Sequence, residues 1–211
     1  MPMTEPAPVV YVVDDDPDVL KGIERLLESA GLAVAAFASP RRFLERYDPD
    51  AAGCLVLDLE MPGLSGLELQ AMLEQRASHL PIVFLTGRGD IAASVRAMKL
   101  GAADFLTKPV DADDLIAAVD AALERNREQR ADRAERHLVA NRLAALTARE
   151  RKVFELIALG RLNKQIAAEC GTVEKTIKFH RANLMRKLGV RTVADLVRLA
   201  ERAGTGKAHS D

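Results

Sequence analysis

Four short stretches of the chain each end at a residue able to do chemistry. Val9–Val13 runs into Asp14-Asp15-Asp16, and Cys54–Leu57 stops at Asp58. Pro81–Leu85 stops at Thr86, and Ala103–Leu106 is followed by Thr107-Lys108-Pro109. Oxygen ligands without His or Cys select Mg²⁺ or a similar ion such as Mn²⁺. A lysine is a point charge suited to a phosphoryl oxygen, and a threonine can donate a hydrogen bond to another. A carboxylate beside such a metal and such a lysine is a nucleophile toward a phosphoryl group, giving an aspartyl phosphate. Asp58 would be that nucleophile, with Asp14 and Asp15 holding the ion. Taken singly, each residue has a plainer account. A strand-end Asp caps the next turn, and three adjacent acids form a solvated turn. Asp16 fits the plainer account, because Asp16-Pro17 reads as the N-cap and first residue of a helix. Whether the others converge depends on the elements that carry them.

The apolar runs are short and rich in β-branched residues, as expected of strands buried on both faces. Helical stretches separate them. One runs from Pro17 through Val19, Leu20, Ile23, Leu26 and Leu27 to Gly31. A weaker strand, Leu32–Phe37, is followed by Ser39-Pro40, which starts a helix to about Tyr47. Ser65-Gly-Leu-Glu68 is a capping box opening a third helix through Leu69 and Leu73. A fourth helix is expected over about Asp90–Leu100 and a fifth from near Asp111. Strand then helix, five times over, means α/β architecture: a five-stranded parallel sheet with helices on both faces. The carboxyl ends of its strands lie on one edge, where open α/β sheets bind ligands. Asp14, Asp15, Asp58, Thr86 and Lys108 are therefore expected together.

This constellation resembles the receiver domain of two-component response regulators, a flavodoxin-like fold, over about Val9–Leu123. The resemblance implies that Asp58 accepts a phosphoryl group from the histidine of a sensor kinase. It implies Mg²⁺ (or Mn²⁺) held by Asp14, Asp15, Asp58 and the backbone carbonyl of Glu60. Thr86 and Lys108 become the phosphoryl contacts, Phe105 the switch aromatic, and Lys108–Pro109 a cis peptide.

The net charge of −1 hides an asymmetry. Residues 1–125 hold 11 Lys+Arg against 21 Asp+Glu, a net of −10, whereas 126–211 hold 19 against 10, a net of +9. A basic half suggests a polyanionic partner, or else merely well-solvated helix faces. Between the halves, residues 124–136 are charged and free of Gly and Pro. Such a composition favours an exposed helix, so helix five is expected to continue into a helical linker, with a flexible tether as the alternative. Residues 1–123 are thus expected to form the receiver, 124–145 a linker, 146–203 a second domain and 204–211 a disordered tail.

In the second half, Thr147-Ala-Arg-Glu150 is a capping box for a helix reaching Gly160. A short helix follows over Leu162–Cys170, then Gly171, then a longer basic helix over about Glu174–Leu188 with Gly189 as its C-cap. Thr192-Val-Ala-Asp195 opens a last helix. A short helix, a glycine turn and a longer basic helix is the plan of a helix-turn-helix. An ordinary three-helix bundle is the alternative, and the basic outer face argues against it. Lys175, Lys178, Arg181, Arg186 and Lys187 can meet phosphates, and Lys178 and Arg181 can bond guanine. Phe179 and Ala182 can make only apolar contacts, such as with thymine methyls. Lys164 is a further phosphate candidate.

The motifs Leu146-Thr147-Ala148-Arg149-Glu150, Gly160, Asn163-Lys164-Gln165-Ile166-Ala167, Thr176-Ile177-Lys178-Phe179-His180 and Lys187-Leu188 resemble the LuxR/FixJ/NarL type of output domain, most like the FixJ branch. The resemblance implies double-stranded DNA as a partner, with Lys164, Lys175, Thr176, Lys178, Phe179, Arg181, Ala182 and Lys187 at the interface. It also implies RNA polymerase as a partner and homodimerisation on phosphorylation. One departure stands out: Thr172-Val173 replaces the usual apolar residue then Ser ahead of the third helix. Either Thr172 caps from one position earlier or the helix begins later.

No stretch is apolar for 18 residues, so no transmembrane helix or membrane partner is expected. Met1–Pro8 lacks the regions of a signal peptide, which with the cysteines points to the cytoplasm. Cys54 and Cys170 are expected as buried reduced thiols. Two rival functions are a phosphatase with an Asp nucleophile and a constitutive DNA-binding protein whose receiver is only a scaffold. The phosphatase needs a second acid two residues on, followed by a β-branched or hydroxyl residue, whereas Glu60 is followed by Met61-Pro62. The intact acidic set counts against the scaffold.

Overall fold

The computed structural model describes residues 7–87 and 91–203, with the side chains of 91–94 left out. Met1–Pro6, Asp90 at the head of the expected fourth helix, and the 204–211 tail lie outside the described residues. The chain divides into two units, Met1–Arg130 and Ala131–Asp211.

The first unit alternates strand and helix. β1 is Val9–Val13, α1 Pro17–Ser29, β2 Ala33–Phe37, α2 Pro40–Arg46 and β3 Gly53–Asp58. α3 is Gly66–Gln75, β4 Ile82–Thr86, α4 Ile91–Lys99 and β5 Asp104–Thr107. The strands form one parallel sheet in the order β2-β1-β3-β4-β5. β3 and β4 are buried throughout because they lie in the middle and are covered on both faces. The two-residue period of a strand divides their side chains between two cores. Tyr11, Val13, Leu55, Leu57 and Phe84 pack on one face, and Val10, Val12, Cys54, Val56, Val83 and Leu85 on the other. The register Val13↔Leu57, Asp58↔Leu85 and Thr86↔Thr107 brings the chemistry-bearing strand ends to one edge.

Two glycines permit close approaches next to that sheet. A Cβ on Gly53, whose φ is +156°, would lie 1.9 Å from the Val9 carbonyl oxygen. A Cβ on Gly66 would lie 2.4 Å from the carbonyl oxygen of Asp58, so α3 can start hard against the acceptor candidate only with glycine there.

α5 is one continuous helix of 33 residues, Ala112–Ala144, so the chain between the units is helical rather than a loose tether. It contributes to both units. Leu115, Ala118, Val119 and Ala122 join the sheet's second core. Beyond the expected receiver boundary, buried Asn126 accepts a bond from the Gly53 N–H (3.1 Å), and the Arg130 guanidinium donates to the Asp50 carbonyl. Further on, Val139 and Leu143 belong to the core of the second unit. The stretch read as linker therefore shrinks from both ends, because polar anchors and two isolated apolar residues do not register as an apolar stripe.

The second unit is helical: α6 Ala148–Ala158, α7 Asn163–Glu169, α8 Glu174–Leu188 and α9 Val193–Arg202. Thr147 and Thr192 close reciprocal capping boxes with Glu150 and Asp195. Phe154, Ile166, Ile177, Leu184, Leu188 and Leu196 fill the core. Gly189, with φ +69°, ends α8 in the left-handed region. α8 begins at Glu174 with extended Val173 before it and no side-chain cap. Neither expected remedy occurs: Thr172 does not cap and the start is not delayed. Cys54 is buried, and burial pushes its thiol up to about 12; Cys170 is only half-buried, contrary to expectation. Among the described residues no helix is long and apolar enough to cross a membrane.

Candidate phosphoacceptor site and DNA-facing helix

The carboxyl edge of the sheet gathers Asp14, Asp15, Asp58, Thr86 and Lys108. Asp14 and Asp58, at the ends of neighbouring β1 and β3, are 1% and 6% exposed, while Asp15 beside them is open to solvent. One carboxylate oxygen from each of the three lies within 4.8 Å of the others. Asp16 stands apart as the cap of α1, accepting from the N–H groups of Asp18 and Val19. Lys108 reaches back from the end of β5 and places its ammonium 2.6 Å from Oδ2 of Asp14 and 3.2 Å from Oδ2 of Asp58. The Lys108–Pro109 peptide is cis. Thr86 is buried and donates its hydroxyl to the Gly87 carbonyl (3.1 Å). Phe105 is half-buried, its ring 6.4 Å from that of Phe84. Glu60 is exposed.

A carboxylate taken out of water beside another negative charge holds its proton more tightly, and Asp58 is so placed. Burial pushes the Asp58 carboxyl above its ordinary range and the Asp14 charge adds to that, while Lys108 and the Glu60 N–H pull the other way. Burial lowers the Lys108 ammonium, but its bonds and charges with Asp14 and Asp58 outweigh this and hold it above its ordinary value. The edge is thus an anionic pocket that draws in positive charge, and its donors are all carboxylate oxygens. That set suits a hard divalent ion, which Asp14, Asp15 and Asp58 could hold.

In the second unit α8 buries Ile177, Leu184 and Leu188 and turns the opposite side outward. Lys175, Lys178, Phe179 and Ala182 are exposed there, with Thr176 and Arg181 half-buried. Lys164 is exposed in the first turn of α7. Arg181 donates to Oδ1 of Asn163 at the start of α7 (3.1 Å), so its guanidinium is tethered to the neighbouring helix. Lys187 is placed differently from the expectation that it faces DNA. Its ammonium bonds Oε2 of Glu150 (2.7 Å), and Glu150 is itself buried. The lysine joins α8 to α6. Neither Glu150 nor Asn163 stands out as a partner in the sequence, because the capping box already accounts for Glu150 and a helix-start Asn reads as a cap.

Comparison with known proteins agrees with both units. Residues 10–120 match the response regulator receiver domain, and residues 144–200 match the bacterial regulatory proteins of the luxR family. The transcriptional regulatory protein FixJ of Azorhizobium caulinodans is 45% identical over 206 residues, covering 98% of this chain and 97% of that protein. Nodulation protein W of Bradyrhizobium diazoefficiens is 43% identical over 203 residues, covering 96% and 89%. The solved structure of response regulator StyR superposes with a TM-score of 0.85 at 46% identity, covering 93% of this chain and 100% of that one. The chain belongs to the two-component response regulators that join a receiver domain to a LuxR-type DNA-binding domain, close to the FixJ branch.

Proposed function

We propose that this chain is a transcription factor switched by phosphorylation of Asp58. The observation that carries the proposal is the ammonium of Lys108 lying between the carboxylates of Asp14 and Asp58 at the sheet edge. A carboxylate oxygen of Asp58 attacks the phosphorus of a phosphohistidine on a sensor kinase. The O–P bond forms as the N–P bond breaks, and the electron pair leaves with the imidazole. Mg²⁺ (or Mn²⁺), held by Asp14, Asp15, Asp58 and the Glu60 carbonyl, would neutralise charge on both reactants. The Lys108 ammonium and Thr86 hydroxyl then hold phosphoryl oxygens, and Phe105 moves further inward. Such a chain takes up a phosphoryl group without being a turnover enzyme.

Phosphorylation must stabilise one of two states more than the other for a switch to result. The favoured state pairs two chains, so that two copies of α8 enter DNA half-sites spaced by the dimer. Lys164, Lys175, Lys178 and Arg181 meet phosphates and base edges, with Thr176, Phe179 and Ala182 beside them, and the bound dimer engages RNA polymerase. Because its ammonium is held by Glu150, Lys187 acts through the fold of this unit. The place of action is the cytoplasm, where kinase, DNA and polymerase meet. The relative named as a transcriptional regulatory protein supports this reading.

DNA-site selection and affinity at fixed salt test the proposal, with and without Mg²⁺ plus an acyl phosphate, for wild type and Asp58→Asn. Donor-dependent tightening in wild type alone is expected. Equal binding by both proteins in every condition would transfer the function to the constitutive reading. Steady turnover of a phosphate ester would transfer it to the phosphatase.

A further inference from the structure

At the end of the sheet opposite Asp58, β4 begins beside a cavity that the phosphoryl chemistry leaves unused. Ile82 lines it, at the start of the strand whose other end is Thr86. The cavity measures about 160 Å³ and is partly open to solvent. That is roughly the room that benzene takes in an engineered protein cavity, so its occupant is small. Buried Leu73, Leu80 and Ile82 supply an apolar wall. Exposed Glu74 from α3 and Arg125 from α5 supply opposite charges, and neither forms a salt bridge among the described residues.

Gln70 lines the same cavity and is 5% exposed. Its Nε2 donates to the Leu100 carbonyl (3.1 Å), which can only accept, so this bond fixes which end of the amide is the oxygen. That oxygen, Oε1, is shielded from solvent and is, among the described residues, the buried side-chain polar atom left without a hydrogen-bond partner. A buried acceptor without a donor costs free energy, which a donor entering the cavity recovers once the amide turns to meet it. α3 and α4 both end here, with Glu74 in the last turn of one and Leu100 just past the other. Helix carboxyl ends carry partial negative charge and favour a cation.

We infer that this cavity binds a free aliphatic α-amino acid. Its ammonium meets Oε1 of Gln70 and the Glu74 carboxylate at the two helix ends. Its carboxylate meets the Arg125 guanidinium, and its side chain covers Leu73, Leu80 and Ile82. An amine alone leaves Arg125 without an anion. A carboxylate alone brings no donor to Gln70 and is repelled by Glu74. A zwitterion answers both, and the apolar wall selects a hydrocarbon side chain. The inference stands apart from phosphorylation of Asp58 and from DNA binding.

L-Leucine is the probe for the test. Isoamylamine and 4-methylpentanoate are the same molecule without its carboxylate and without its ammonium. The full chain is titrated with each, followed by calorimetry and by tyrosine fluorescence. The optical signal is local, because the chain has no tryptophan and the Tyr47 hydroxyl lies 2.6 Å from Oγ of Ser78, which lines the cavity. L-Leucine is expected to saturate both signals at one equivalent, and each fragment to bind about 10-fold more weakly, the loss of one charge-assisted bond. Arg125→Gln is expected to weaken leucine binding about 10-fold and to leave isoamylamine unchanged. Glu74→Gln is expected to weaken leucine and isoamylamine alike and to leave 4-methylpentanoate no weaker. Both substitutions fall at exposed positions, so the fold is kept. No saturable signal with L-leucine up to about 10 mM would overturn the inference. So would equal binding of the three compounds, or leucine binding untouched by either substitution, which would place the molecule elsewhere on the chain.

Discussion

The ammonium of Lys187 lies 2.7 Å from Oε2 of Glu150, tying the last turn of α8 to the first turn of α6. Glu150 also accepts from the Thr147 N–H (2.9 Å) and hydroxyl (3.0 Å). Lys187 first, and then the Thr147 N–H, pull the Glu150 carboxyl down to about 2 from an ordinary 4.5. A depressed carboxylate stabilises the fold above its unfolded value and loses that contribution as pH falls through its folded value. The pair therefore supports the second unit above about pH 4.5 and weakens progressively toward pH 2. Lys187→Met should destabilise this unit by roughly 1–2 kcal/mol at pH 7, allowing for water at the exposed side of the lysine. The gap from wild type should narrow by pH 3 in denaturant melts followed by circular dichroism. A gap independent of pH would mean that the lysine acts through its aliphatic stem alone.

Lys108 answers a different electrostatic demand. Its ammonium sits between the carboxylates of Asp14 and Asp58, so under the proposed function it would compete with a metal ion while supporting a phosphoryl group. Lys108→Met removes one cation from an anionic pocket. Calorimetric Mg²⁺ affinity should rise roughly 10-fold, the equivalent of one unit of charge interaction. Phosphoryl uptake from an acyl phosphate should fall roughly 100-fold, since a fixed charge on the transferring group is lost. Weaker Mg²⁺ binding in the variant would show that the lysine shapes the ion site instead of competing for it.

The acidic edge was legible in the sequence because each of its members ends a strand, and a parallel sheet has one carboxyl edge. Asp14, Asp58, Thr86 and Lys108 needed only the order of elements to be brought together. α8 was legible through its glycine C-cap and the apolar positions Ile177, Leu184 and Leu188. Side-chain partners across long separations were not. Nothing in the pattern around Lys187 distinguishes a cation aimed at phosphate from one bonded to Glu150 across 37 residues. Nor does it show that Asn126 is an anchor, for a polar residue on a charged helix reads as solvated until its buried partner is known.

That anchor gives a third expectation. Asn126 is 4% exposed and accepts from the Gly53 N–H, at a glycine packed closely against the Val9 backbone. Asn126→Ala strands a buried donor, which costs about 1–3 kcal/mol. The chain has two tyrosines and no tryptophan, and Tyr11 and Tyr47 both lie in the first unit's core. Tyrosine fluorescence therefore reports the first unit's unfolding. Its midpoint in denaturant should drop in the variant, while the helical signal of the second unit keeps its own transition. An unchanged tyrosine transition would mean that the Asn126 bond contributes nothing net.

Val173 gives the last expectation. It stands at the N-cap of α8 with φ −100° and ψ 156°, the extended conformation of a capping residue, yet no side chain caps the helix. Its apolar side chain is 65% exposed, so replacing it removes little packing. The N–H of Thr176, the third helical residue, already donates to the Val173 carbonyl (3.0 Å); a serine in the same backbone conformation adds a side-chain acceptor for the first-turn N–H groups that valine cannot offer. Val173→Ser should stabilise the second unit by about 1 kcal/mol, read as a higher midpoint in its helical transition with the tyrosine transition unmoved. The same change should weaken DNA binding slightly if an uncapped N–H of α8 meets a phosphate, because the serine oxygen would then occupy the donor. Higher stability with unaltered affinity would confine the effect to the helix. No gain in stability would mean that water already satisfies this end of α8 as well as a cap does.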